Sequence, residues 1–239
     1  MREFETISKD LAGALGLQYA PVGVYLFREG EPVTGTIHFV NENLKSYCQA
    51  VTLAGSGREL LLTGEKMGCK LGTSVLGFEK ETDGYLDDGV LEKYGVGLFG
   101  TEEASAETIL KAKMLEKGKT RAALIAPLAT FDTVPQVVVF TADSEQVMWL
   151  LYALNYEKGG RMELPQSGGA LGGCSDITAL PLLENVPNVT FLGLGCRLKS
   201  EISPCHLMMG VPGGSLQTLH EHIMEMAKPI AMLKNARLK

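Results

Sequence analysis

The sequence predicts an α/β fold: two diverged copies of one α/β unit forming one compact domain, residues 1–239, around a mixed β-sheet. Three observations carry this. Apolar runs of strand length alternate with stretches at helical spacing. A proline opens a strand twice, at Pro21 and at Pro135. Two cysteine pairs have matching separations: Cys48 lies 21 residues before Cys69, and Cys174 lies 22 residues before Cys196.

The elements follow in order. Phe4, Ile7, Leu11 and Leu15 share one face of a helix over about 4–16. Val22–Phe27 is a short apolar strand. Leu44, Tyr47, Cys48, Val51 and Ala54 fall at helical spacing over about 43–54, which points Cys48 inward. Gly55-Ser56-Gly57 stops that helix. Leu60-Leu61-Leu62 is a buried strand leading to Gly68-Cys69. Gly-rich turns and helical segments fill about 70–118, and Ala122–Ala126 is a strand. The pattern then restarts. Gln136–Phe140 is a strand, and Asp143 or Ser144 caps a helix carrying Val147, Met148, Leu151 and Leu154. A glycine-rich loop, Gly168–Gly173, ends at Cys174, and a short helix begins near Ser175. Val189–Leu192 is a strand before Gly195-Cys196. Met208 and Met209 mark a last strand. A helix over about 214–235 closes the chain, with a kink at Pro229.

The second cysteine of each pair sits in nearly the same tetrapeptide, Gly68-Cys69-Lys70-Leu71 and Gly195-Cys196-Arg197-Leu198. Each copy reads cysteine, helix, apolar strand, Gly-Cys-basic-Leu. The copies are bounded at 20–118 and 134–236. A pseudo-twofold arrangement would carry equivalent cysteines to equivalent places.

Composition narrows the function classes. The 239 residues are 45% hydrophobic and 21% charged, with a net charge of -6. An acidic chain with scattered Lys and Arg does not suit nucleic acid. The only basic cluster, Lys234, Arg237 and Lys239, suits a helix C-terminus. No apolar run reaches the length of a membrane span, and Met1–Glu5 lacks the apolar core of a signal peptide. The expected setting is cytoplasmic, where thiols stay free as core residues, metal ligands or reactive groups.

Four thiolates suit a tetrahedral zinc or an iron–sulfur cluster. Zinc sites usually draw two ligands from one Cys-x-x-Cys turn, and this chain has none. Clusters accept ligands from distant loops. Gly68, Gly173 and Gly195 each precede a cysteine, and backbone N–H groups there can point at sulfur. Lys70 and Arg197 follow the paired cysteines and can balance thiolate charge. The plainer reading is that buried cysteines are small hydrophobes. Cys205 lies outside the repeat, and Pro204-Cys205-His206 reads as a core cysteine beside a surface histidine.

Pro21-Val22-Gly23-Val24, Cys48 in its helix, Gly68-Cys69, Gly173-Cys174-Ser175-Asp176, Gly195-Cys196-Arg197 and Gly210-Val211-Pro212-Gly213 occur in one order over about residues 10–225. In this the chain resembles the domain-of-unknown-function family 169, found largely in anaerobic bacteria and archaea. The resemblance implies one compact unit in an anaerobic, cytoplasmic setting and supplies no activity.

The expectation is therefore an iron–sulfur protein, most simply 4Fe-4S, with a redox or electron-transfer role in anaerobic metabolism. Its metal ligands would be Cys48, Cys69, Cys174 and Cys196. Gly68, Gly173 and Gly195 would shape the binding loops, and Lys70 and Arg197 would balance charge. One alternative is a cysteine-dependent small-molecule enzyme, with Cys174 at a helix N-terminus as the reactive thiol. Another is a protein binding a tetrapyrrole-like cofactor. The expected partners are a redox protein or a small molecule, with no nucleic acid and no membrane, in a homo-oligomer.

Overall fold

The computed structural model describes residues 3–33, 44, 46–78 and 97–236. Residues 43 and 45 of the helix expected over 43–54, residues 79–96 of the Gly-rich stretch, and Arg237 and Lys239 of the basic cluster lie outside these, while Leu44, expected in that helix, forms a parallel bridge with Met67 instead.

Helix α1 (Glu3–Leu15) buries Phe4, Ile7, Leu11 and Leu15, with Glu3 and Glu5 placed favourably in its first turn. Strand β1 (Val22–Arg28) follows. Helix α2 (Tyr47–Gly55) is capped by Ser46, whose hydroxyl accepts the Gln49 N–H at 3.1 Å. Strand β2 (Leu60–Leu62), a 3₁₀ turn, helix α3 (Lys70–Val75) and helix α4 (Glu102–Lys111) lead to strand β3 (Thr120–Pro127). Strand β4 (Val137–Asp143) runs straight into helix α5 (Ser144–Leu154), where Asp143 and Gln146 form a reciprocal capping box. A π-helix (Gly172–Ala179) is continued by helix α6 (Leu180–Glu184). Strand β5 (Asn188–Thr190), helix α7 (Leu194–Ser200) and strand β6 (His206–Pro212) come next. Helices α8 (Leu216–Glu225) and α9 (Ala227–Ala236) close the chain. The break between them falls at Met226, not at the expected Pro229. Pro229 stands in the first turn of α9, where a missing N–H costs nothing.

The six strands among the described residues belong to one sheet, in the order β2-β3-β1-β4-β6-β5. Every strand pair in it is antiparallel, which corrects the expected mixed sheet. The physical reason is an inserted strand. The α2 crossover does return β2 in the direction of β1, as helical crossovers do. Strand β3 then pairs with both and separates them. Strand β6 separates β4 from β5 in the same way.

Alternation along the strands divides the core. Val22, Val24, Leu26, Val137 and Val139 face α2 and the π-helix. Val138, Phe140, Met209 and Val211 face the layer built from α1, α5, α8 and α9. The cysteine-bearing elements therefore share one side of the sheet. Gly210 lets the π-helix lie directly on it, since a Cβ there would stand 1.9 Å from the Ile177 carbonyl oxygen.

Candidate functional site: four thiols around one cavity

Each paired cysteine is placed by a different element. Cys48 lies in the first turn of α2 and is buried, pointing inward as its spacing predicts. Cys69 is the N-cap residue of α3. Cys174 is in the π-helix, and Cys196 is the third residue of α7. Local hydrogen bonds hold these backbones. Thr52 Oγ1 donates to the Cys48 carbonyl at 3.0 Å, Thr73 Oγ1 to that of Cys69 at 3.0 Å, and Ser200 Oγ to that of Cys196 at 2.6 Å. In the wider π-helix, Thr178 Oγ1 reaches the Gly173 carbonyl at 2.9 Å instead. That spends its only hydrogen, so the buried Tyr47 hydroxyl donates to Thr178 Oγ1 at 2.9 Å. This bond ties α2 to the π-helix.

The four cysteines line one cavity of about 250 Å³, with Gly68, Lys70, Gly195 and Lys199 and apolar walls of Leu71, Leu98, Leu194 and Leu198. The glycines before the cysteines play different parts. A Cβ on Gly173 would lie 2.3 Å from Cys48 Sγ, so only glycine lets that sulfur approach. A Cβ on Gly195 would meet nothing within 4 Å. Gly169, at φ +98°, helps the expected glycine loop wrap the cavity.

The thiols are electrostatically unequal. The Cys48 thiol interacts directly with Cys196 and holds it down at about 7 despite burial, helped by the N–H groups of Gly173 and Gly193 and by the Lys199 ammonium. The same contact, and then burial, push Cys48 well up. Burial first, then the Cys196 and Cys69 sulfurs, push Cys174 well up. Cys174, expected as the reactive thiol of the enzyme reading, is thus the poorer nucleophile, and Cys196 is the better one. Two residues past Cys174, burial raises the Asp176 carboxyl to about 6, against hydrogen bonds from Ser167.

The charged residues sort differently from expectation. Lys70 lines the cavity, but the Arg197 guanidinium is turned to the carbonyls of Phe191, Ser203 and His206. Lys199 stands in its place. The usable signal was helical spacing, since Lys199 is i+3 from Cys196 and Arg197 is i+1. Cys205 and His206 also reverse their expected roles: Cys205 is exposed, and His206 is buried edge-on to Tyr19. Neither lines the cavity.

The donor set can be tested against its candidate occupants. Among the described residues, no group of three or more His, Cys, Asp or Glu side chains is placed to hold a metal ion. At about 250 Å³ the cavity also falls short of the ~300–1,000 Å³ typical of organic ligand sites, which weighs against a tetrapyrrole.

Among the described residues, no helix is long and apolar enough to cross a membrane. No solved structure matches the chain. An uncharacterised protein of Methanocaldococcus jannaschii is 27% identical over 224 residues, which cover 93% of this chain and 94% of that relative. The profile of domain-of-unknown-function family 169, described as "Uncharacterised ArCR", matches residues 10–222, so the chain belongs to this family.

Proposed function

We propose that the cavity holds an iron–sulfur cluster, most simply a 4Fe-4S cubane, through Cys48, Cys69, Cys174 and Cys196. The role would be redox or electron transfer in a cytoplasmic, anaerobic setting. The supporting observation is that four soft donors from four separate elements border one small cavity. A cluster spaces its ligands more widely than one ion does, because sulfides lie between the irons. When bound, the cluster supplies one-electron chemistry. The chain supplies the rest: N–H groups of Gly173 and Gly193 directed at Cys196, an apolar wall, and the Lys70 and Lys199 cations. Anaerobic reconstitution with iron and sulfide tests the reading. A brown protein containing both is expected. A colourless one lacking both rejects it.

We also infer that the halves are diverged copies of one unit, with β1, β2 and β3 equivalent to β4, β5 and β6. The pairing of each central strand with its outer neighbour supports this. Pro127 stands opposite Val22 as Pro212 does opposite Val137. The Leu128 N–H donates to the Pro21 carbonyl at 2.8 Å, and the Gly213 N–H to that of Gln136 at 2.9 Å. The equivalence sets Cys48 against Cys174 and Cys69 against Cys196.

A second reading, a cysteine-dependent enzyme, is favoured only by the low value of Cys196 beside Cys48. One cysteine alkylating fast in protein that takes up no iron would select it.

A further inference from the structure

The mouth of the cavity exposes apolar side chains. Leu194 and Leu198, four residues apart on α7, are 42% and 71% exposed, and Phe191, in the turn before that helix, is 61% exposed. Leu98, another cavity-wall residue, is also well exposed. Lys70 and Lys199 line the cavity, and among the described residues no Asp or Glu does. Neither lysine forms an ion pair with a described residue. The Arg197 guanidinium lies beside Phe191, bonded to its carbonyl at 2.9 Å. Glu201, just past α7, is the one acidic residue of that stretch. The chain as a whole carries a net charge of -6, so an apolar, cationic mouth runs against its general character.

Resting on the cluster reading above, we propose that this mouth is the docking face for an acidic electron-transfer protein. A small molecule in the cavity would leave Phe191 uncovered, since Phe191 is not among the lining residues. A second copy placed twofold-symmetrically would set Lys70, Arg197 and Lys199 against themselves. An acidic partner covers the leucines and Phe191 and meets the cations with carboxylates, in the small, weak interface usual for redox encounters. One electron leaves the partner's reduced centre and enters the oxidised cluster. No bond to the partner forms or breaks, and no proton is needed.

The test uses the full chain, reconstituted anaerobically, with a reduced acidic bacterial ferredoxin as probe. Stopped-flow absorbance gives the bimolecular rate of cluster reduction, with reduced methyl viologen as the small reductant. Phe191→Glu should lower the ferredoxin rate at least about tenfold and Phe191→Lys should not lower it. Rising salt should slow the parent. Methyl viologen should reduce parent and variants alike. The proposal is overturned if a cluster that methyl viologen reduces shows the same ferredoxin rate in the parent and in Phe191→Glu. Salt-independent rates, or a dimer that Phe191→Glu dissociates, would also overturn it. A chain that takes up no iron or sulfide rejects the cluster reading instead, so the two failures are distinct.

Discussion

Replacing Gly173 by alanine puts a methyl group 2.3 Å from Cys48 Sγ. Ordinary non-bonded contact is about 3.5–4.0 Å, so the sulfur or the π-helix must move by more than about 1 Å. Overpacking of this kind costs about 1–3 kcal/mol. In a chain of this size each kcal/mol lowers Tm by about 2–4 °C, so a fall of about 2–12 °C is expected by differential scanning calorimetry. The chemical effect should be larger. An Fe–S bond of about 2.3 Å does not survive displacement of its sulfur by half that length. The same shift moves the Gly173 N–H off Cys196. Iron per chain after reconstitution should fall by more than half. Gly172→Ala is the matched control, because its methyl would lie 2.3 Å from Thr190 Oγ1 and 3.3 Å from Thr190 Cβ, away from any cysteine. It should lose similar stability and keep more iron. Gly195→Ala, with nothing within 4 Å, should not lower Tm. Full iron in Gly173→Ala, or equal losses in Gly172→Ala and Gly173→Ala, would refute the reasoning.

Three further outcomes follow from the same geometry. Serine at Cys48, Cys69, Cys174 or Cys196 should each reduce bound iron at least about twofold, because serine is a poorer ligand for a soft site, while exposed Cys205→Ser should leave iron content unchanged. In metal-free protein carrying Cys205→Ser, iodoacetamide should label Cys196 first among the cavity thiols, with a rate that rises through about pH 7, whereas Cys48 and Cys174 should lag; peptide mapping reads the order. Asp176→Asn tests the buried carboxyl. Its folded value of about 6 lies above the ordinary 3.8, so the folded state holds the proton more tightly and stability is lost as pH rises between those values. The variant should gain on the parent between pH 4 and pH 8, by an amount of the order of 2–3 kcal/mol, read as a widening gap in Tm. A constant gap would show that Asp176 is not desolvated.

Much of the cysteine side of the molecule was readable from local pattern. Helical spacing placed Cys48 inward, and alternation divided Val137 and Val139 from Val138 and Phe140 on the two faces of β4. Matched spacing identified which cysteines belong together around the cavity. Three features escaped for distinct physical reasons. Strand pairing is a long-range choice, and nothing within β3 announces that it inserts between β1 and β2. The π-helix carries no periodic signature of its own. It lies against the sheet at Gly210 and starts after Leu171 at φ 56°, features that depend on packing rather than on local pattern. Adjacency to Cys196 points Arg197 to the cavity, whereas the turn of α7 brings Lys199 there. Lys70 did line the cavity, because Cys69 is an N-cap residue outside the helical spiral.

The central claim is that four thiols meet around one cluster. The most direct measurement is iron and acid-labile sulfide per chain after anaerobic reconstitution, read alongside the electron paramagnetic resonance of the dithionite-reduced protein. The account predicts about four iron and four sulfide per chain and a reduced-cubane signal that disappears when the paired cysteines are replaced. Protein that stays colourless, with neither iron nor acid-labile sulfide, would contradict it.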